Sequence, residues 1–242
     1  MNNDFVIIIP ARIGSTRLPN KPLTDLSGKS LIQRVFEQSI KSTTNSYIAT
    51  DSELIMNHVK SFTDNIVMTS QDHISGTDRV AEAASILSID DDQLIINLQG
   101  DEPFMPISLI GLLVDDYKKN KCDVITASHL ISSNLELQNP NCVKVDKKES
   151  NFAYDFLRHV EHQNIETLFR HIGIYGYSHK TLKKLVCLKP SQRELEHKLE
   201  QLRFLDNNYS IYVTQYDEII PSGIDTQEDV ESALLYIKKN DC

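Results

Sequence analysis

No two of the four cysteines, Cys122, Cys142, Cys187 and Cys242, stand at C-x-x-C spacing. Neither a zinc knuckle nor a disulfide framework is suggested, and free thiols in a reducing compartment are the simpler reading. Long apolar runs are lacking too. None approaches the roughly 18 residues that read as a membrane span, and the opening MNNDFVIIIP has no basic segment ahead of a long apolar one. The expectation is a soluble, cytoplasmic protein with no membrane partner. Positive charge is scarce, with 25 Lys and Arg against 34 Asp and Glu and a formal net charge of -9. Nucleic acid is therefore not expected as a partner, because a phosphate backbone needs a broad basic face. Internal repeats and low-complexity linkers are missing as well. So are the G-x-x-x-x-G-K-[ST] and G-x-G-x-x-G phosphate motifs of two common nucleotide folds.

What is present suffices for a full core: 242 residues, 40% of them hydrophobic, fit one large domain or a domain with a subsidiary lobe. Short β-branched runs alternate with helical patterns through FVIII, SLIQRVFEQSI, SYIAT, ELIMNHVKSF, NIVMTS, TDRVAEAASIL and QLIINLQ. The strands are nearly continuous apolar runs, as expected where helices cover both faces of a parallel sheet. Val80, Ala83, Ala84 and Leu87 mark one helix face. The fold class is α/β with a doubly wound, mostly parallel sheet. After CDVITASHL the rhythm changes, and CVKVD, FAYDFL and HIGIYGY read as strands without regular crossover helices. ELEHKLEQLRFL reads as one amphipathic helix with Leu195, Leu199 and Leu202 packed on a stripe. SIYVTQY is a strand and TQEDVESALLYIKK a closing helix.

Ligands of open parallel sheets sit at the carboxyl ends of strands, and three distinctive stretches fall there. PARIGSTRLPNKP follows FVIII and gathers Arg12, Arg17 and Lys21 around Gly14, Ser15 and Thr16, with no acid between Asp4 and Asp25. Small residues let the backbone approach a phosphate while the cations neutralise it; the alternative is a solvated surface loop. TSQDHISGTDR follows NIVM. In QGDEP, after LIIN, a carboxylate beside a phosphate site suits Mg²⁺, which takes one or two protein carboxylates plus substrate oxygens. A turn with a helix cap explains QGDEP equally well. Further on, Thr226 and Asp229 form a capping box that accounts for part of PSGIDTQED, leaving Asp225 as the second candidate metal carboxylate.

Taken in order, PARIGSTRLPNKPL, IATD, HISGTDR, NLQGDEP, NPNCVKV, RHIGIYGY, LEQLRFL and GIDTQEDVE resemble the 3-deoxy-manno-octulosonate (Kdo) cytidylyltransferases along nearly the whole chain. The resemblance implies a single nucleotidyltransferase domain over residues 1–242, of the nucleotide-diphospho-sugar transferase type. It would carry a sugar-binding and dimerisation lobe inserted at about 130–205, and assemble as a homodimer. The implied reaction is CTP + Kdo → CMP-Kdo + pyrophosphate, with Mg²⁺, for lipopolysaccharide biosynthesis. By position, Arg12, Ser15 and Lys21 match the triphosphate loop, with Arg12 and Lys21 clamping the β and γ phosphates. Ser75, Thr77, Arg79 and Gln99 match nucleotide-pocket positions, Asp101 and Asp225 the two metal carboxylates, and Arg158, His171, Tyr175, Glu200 and Gln201 the sugar-acid site. Arg17 either braces its loop or touches a phosphate.

One segment departs from the family pattern. Asp155, Phe156, Leu157 and Arg158 stand where an aromatic residue, a phenylalanine, a serine and an arginine are usual. The leucine removes a hydroxyl, which can shift the sugar tolerated toward a related acid such as 8-amino-Kdo or a sialic-acid type. A non-catalytic nucleotide-binding protein is the third reading. His159, His162 and His171 lack a fourth ligand at a familiar spacing and read as ordinary histidines rather than a zinc site; His171, within RHIGIYGY, also keeps its place among the sugar-site residues.

Overall fold

The computed structural model describes residues 4–147, 149–160, 165–218 and 220–240; Cys242 and His162 lie outside them. In chain order the elements are β1 (Phe5–Ala11), α1 (Leu31–Ser39), β2 (Ser46–Thr50), α2 (Glu53–Val59), β3 (Ile66–Met68), α3 (Gly76–Ile86), β4 (Leu94–Leu98) and α4 (Ile107–Lys119). There follow β5 (Val124–His129), α5 (Asn134–Gln138), β6 (Lys144–Lys147), β7 (Ala153–Leu157), β8 (Leu168–Ser178), α6 (His179–Leu185), α7 (Gln192–His197), α8 (Gln201–Asp206), β9 (Ile211–Gln215) and α9 (Gln227–Asn240). The chain divides into two compact units, Met1–Ile110 with Ile220–Cys242, and Gly111–Ile219.

In the first unit β3, β2, β1 and β4 lie side by side in that order, all parallel, with Ile9 opposite Ile48 and Ile7 opposite Ile96. Ile7, Ile8, Ile9, Ile95 and Ile96 are fully buried, as expected of strands covered on both faces. Leu31, Ile32 and Val35 of α1, Ile55 and Val59 of α2, and Val80, Ala83 and Ala84 of α3 complete this core. Each fully buried Val, Leu or Ile side chain contributes about 1.5–3 kcal/mol. The helices begin where hydroxyls accept otherwise unmet backbone N–H groups: Ser30 from Gln33, Ser52 from Ile55, Ser75 from Asp78 and Thr226 from Asp229. Strand order reverses at β1, because the chain moves outward through β2 and β3 and then returns to β4 on the other side. The loops after β1 and β4 therefore flank a topological switch point.

The second unit abandons the βαβ rhythm, as its sequence suggests. Its strands run in the order β7, β6, β8, β5, β9, with only β5 and β9 parallel. The expectation of one helix across ELEHKLEQLRFL is corrected: α7 ends at His197 and α8 begins at Gln201. Between them Lys198 takes the left-handed conformation, φ 55°, its N–H closing on the Glu194 carbonyl. The break also divides the leucine stripe, since Leu199 and Leu202 are buried whereas Leu195 is 66% exposed. Glu194 and Arg203 secure the new geometry with two bonds between carboxylate and guanidinium, 2.7 and 2.5 Å. Cys122, Cys142 and Cys187 are free thiols, and burial, then the Asp123 charge, pushes Cys122 up to about 12. Among the described residues no helix is long and apolar enough to cross a membrane.

Candidate active site

A cleft of about 330 Å³ opens in the first unit at the carboxyl ends of β1 and β4. The three stretches singled out in the sequence meet in it: Arg12, Gly14, Ser15, Arg17 and Lys21 after β1, Ser75 and Gly76 at the start of α3, and Gln99 to Asp101 after β4. Asp225 joins them from just before α9.

Local constraints fix each wall. Gly100 is required by a close approach, for a Cβ there would lie 2.7 Å from the Pro10 carbonyl oxygen. The Ile224 N–H donates to the Asp101 carbonyl at 2.9 Å, which brings the following residue, Asp225, alongside Asp101 although the two are far apart in sequence. Gly223 eases that passage, since a Cβ on it would lie 2.7 Å from the movable Glu102 Oε1 and 3.3 Å from the Asp101 carbonyl oxygen. Lys21 stands at the start of a single 3₁₀ turn, Lys21–Leu23, that leaves Asn20 in the left-handed region. In the β1 loop, Ser15 Oγ accepts the Leu18 N–H at 3.3 Å and stabilises the turn.

The charged groups interlock. Lys21 Nζ donates to Asp101 Oδ2 at 2.6 Å and to Asp225 Oδ1 at 2.9 Å. Arg17 Nη2 lies 2.9 Å from Asp225 Oδ2, so its guanidinium meets an acidic residue across the cleft. Burial alone would push the Lys21 amine down, but Asp101 and Asp225 together raise it above the usual lysine range. Burial likewise opposes ionisation of Asp225, and Lys21 and then Arg17 outweigh it, so the carboxyl sits below its ordinary range. Arg12 lines the cleft with an exposed side chain.

The residues matched by sequence to a nucleotide pocket also hold the walls together. Arg79 is 2% exposed and donates to Asp51 Oδ2 at 2.6 Å, Thr69 Oγ1 at 2.5 Å and the Ser70 carbonyl at 3.4 Å, tying α3 to the ends of β2 and β3. Ser75 shares a capping box with Asp78, and Thr77 is buried in the same first turn. Gln99 donates to Asn97 Oδ1 at 3.1 Å. Asp51 and Gly223 were not among the residues assigned from sequence. Asp51 had a signal, its place at the end of the apolar run SYIAT; Gly223 had only its place in PSGID.

The five residues matched to a sugar-acid site all lie in the second unit. His171 and Tyr175 stand on β8 with their ring centroids 5.5 Å apart, and Phe156 and His171 meet in a T-shaped pair with centroids 5.1 Å apart. His171 Nε2 is 2.9 Å from Thr126 Oγ1, and burial pushes its pKa down to about 3, so the ring is neutral. Burial, and after it the Glu200 carboxylate, raises the Tyr175 phenol, which brings Glu200 into this group electrically. Gln201 is 5% exposed at the start of α8. Arg158 is used differently from a waiting fork: it donates to the carbonyls of Pro140, His197 and Lys198 at 3.1, 2.8 and 3.0 Å, pinning the end of α7.

A cationic cleft at a parallel-sheet switch point, facing two adjacent carboxylates, defines a nucleotidyl-transferring class of site. Comparison with known proteins agrees: the model of a family described as cytidylyltransferase matches residues 6–213. A 3-deoxy-manno-octulosonate cytidylyltransferase of Francisella tularensis subsp. tularensis (strain FSC 198) is 44% identical over 93% of this chain and 95% of its own. One of Haemophilus influenzae (strain PittGG) is 38% identical over 98% and 99%. A solved structure of CMP:2-keto-3-deoxy-manno-octonic acid synthetase complexed with CTP superposes with a TM-score of 0.89 at 32% identity, covering 98% of this chain and all of the other. The chain belongs to the 3-deoxy-manno-octulosonate cytidylyltransferase family.

Proposed function

We propose that the chain catalyses CTP + Kdo → CMP-Kdo + pyrophosphate, the activation of a sugar acid for lipopolysaccharide assembly. The observation that carries this reading is the set Lys21, Asp101 and Asp225, joined at 2.6 and 2.9 Å within a cleft that arginines, glycines and hydroxyls also line. Arg12, Ser15 and Lys21 bind the triphosphate, and Arg12 and Lys21 neutralise the β and γ phosphates as charge shifts toward pyrophosphate. Ser75, Thr77, Arg79 and Gln99 form the cytidine side, Arg79 acting chiefly by holding α3 in place.

Asp101 and Asp225 would hold Mg²⁺. Their donors are hard oxygens, side by side and already gathered around one cation, the Lys21 ammonium. Among the described residues no group of three or more His, Cys, Asp or Glu gathers to hold a metal. The ion would take its remaining ligands from phosphate and water, as Mg²⁺ usually does. When bound it supplies charge neutralisation at the phosphates. The hydroxyl of the sugar acid attacks the α-phosphorus and pyrophosphate leaves, so no covalent protein nucleophile is needed.

The sugar acid would meet His171 as a neutral ring, Tyr175 as a protonated phenol, Glu200 and Gln201 as hydrogen-bonding partners for hydroxyls, and Arg158 for the carboxylate. Arg158 would have to exchange some of its carbonyl partners to bind through its fork. A homodimer and a cytoplasmic location, where CTP is at hand, belong to the same proposal. The test is pyrophosphate release from CTP and Mg²⁺ with a panel of sugar acids compared by kcat/KM. Kdo should lead. Preference for another acid would transfer the reading to that substrate, favoured by Leu157, and no turnover by folded protein with any acid would refute it.

A further inference from the structure

Arg12, Arg17 and Lys21 face two carboxylates across the cleft, and the one other charge lining it, Arg79, is met by Asp51. The cleft is thus net positive before any substrate enters. Both oxygens of Asp225 are taken, Oδ1 by Lys21 and Oδ2 by Arg17, and Lys21 spans across to Asp101. Among the described residues Arg12 alone of the three loop cations has no carboxylate partner.

We infer that Lys21 and Arg17 are stand-in cations: they occupy the two carboxylates until a nucleotide binds, bar a lone divalent ion, and release the pair only when a triphosphate brings the ion with it. This rests on the metal assignment made above. A free dication approaching the pair meets a surplus of positive charge and must displace an ammonium and a guanidinium without bringing either an anion in exchange. A nucleoside triphosphate complexed with one dication is still a net anion. Its phosphate oxygens offer Lys21 and Arg17 new partners while the dication takes their places on Asp101 and Asp225, so every charge stays paired through the exchange. The flexible stem of lysine permits such a move without backbone change. Water reaches both carboxylates, 29% and 43% exposed.

The test is Mn²⁺ binding to the full chain without nucleotide, read by electron paramagnetic resonance, beside water-proton relaxation with CTP present and no sugar acid. Wild-type protein should bind Mn²⁺ poorly alone. Lys21→Met should bind it about tenfold more tightly or better, Arg17→Ala roughly threefold, and Lys21→Met combined with Asp225→Asn should fall back to the wild-type level. Lys21→Gln gives a second, more polar variant, and each is first checked by circular dichroism for a native spectrum. The inference is overturned if wild type binds Mn²⁺ alone as tightly as folded Lys21→Met, or if neither Lys21 variant gains affinity while wild type with CTP does hold the ion. If wild type with CTP gives no relaxation enhancement beyond that of the Asp101→Asn, Asp225→Asn double variant, the metal assignment itself fails and the inference with it.

Discussion

Replacing Gly100 by alanine sets the cleft against its own scaffold. The added Cβ would stand 2.7 Å from the Pro10 carbonyl oxygen, where ordinary contact begins near 3.4 Å, so one side must yield by about 0.7 Å. Neither side is soft. Pro10 lies in β1, opposite Ala49 of β2, and Ile9 and Ile32 close in at 3.7 and 3.6 Å. Overpacking of this kind costs about 1–3 kcal/mol, which at this chain length lowers the melting temperature by roughly 2–12 °C. The displacement also passes to the next residue, Asp101. A misplacement near 1 Å in a reacting geometry costs on the order of 10²-fold in rate, so kcat for pyrophosphate release should fall well beyond what the stability loss explains. Two neighbours calibrate the argument. Gly223→Ala meets the far end of the flexible Glu102 side chain at 2.7 Å and should lose less stability; Gly14→Ala meets nothing within 4 Å and should melt with wild type. Thermal melts of the three variants beside wild type, with kcat at a common temperature, test the order. Gly100→Ala as stable as Gly14→Ala, or fully active, would refute the reasoning.

Asp101→Asn keeps the shape but halves the charge available to a dication; circular dichroism should stay native while kcat falls on the order of 10²-fold or more. Arg203→Ala leaves the Glu194 carboxylate, 11% exposed, without its two-bond partner, and should cost about 3 kcal/mol or more in a urea titration. The folded Asp225 carboxyl sits below its ordinary range near 3.8, so the stability it contributes is complete above that range and is lost as pH falls through it toward the lower folded value. The gap in urea midpoint between wild type and Asp225→Asn should hold steady from pH 7 to about 5 and close on further acidification. A gap that widens there would mean that the Lys21 and Arg17 contacts do not favour the ionised carboxylate.

The first unit was legible because its rules are local. Apolar runs gave β1, β2 and β4, the capping box of Thr226 and Asp229 marked the start of the last helix, and strand ends pointed to the cleft before any geometry was known. The break at Lys198 was not legible. Lysine is a good helix former, the period of Leu195, Leu199 and Leu202 was right, and what overrides it comes from elsewhere: Arg203 draws Glu194 back, and Arg158, 39 and 40 residues upstream, ties the His197 and Lys198 carbonyls. A left-handed lysine costs local energy that these buried and bridging contacts offset. The same distinction divides the site residues. Ser75 and Arg79 were matched to a nucleotide pocket, yet their polar atoms are already committed to Asp78, Asp51 and Thr69, so their first task is to hold α3 against the strand ends.

Lys21 and Arg17 carry the point further. Read along the chain they are two cations in a phosphate loop, and a phosphate role for Lys21 fits that reading. Nothing nearby in sequence says that both reach Asp225, 204 residues beyond Lys21. A loop whose only task was to attract phosphate would do best with its cations unpaired, as Arg12 is. Lys21 and Arg17 instead engage the two carboxylates that a dication would use, and the pair is positioned independently of them by the bond from Ile224 to the Asp101 carbonyl. Positive charge in this acidic chain is therefore divided between attracting an anion and occupying the place of its counter-ion, and that second role follows only from the fold.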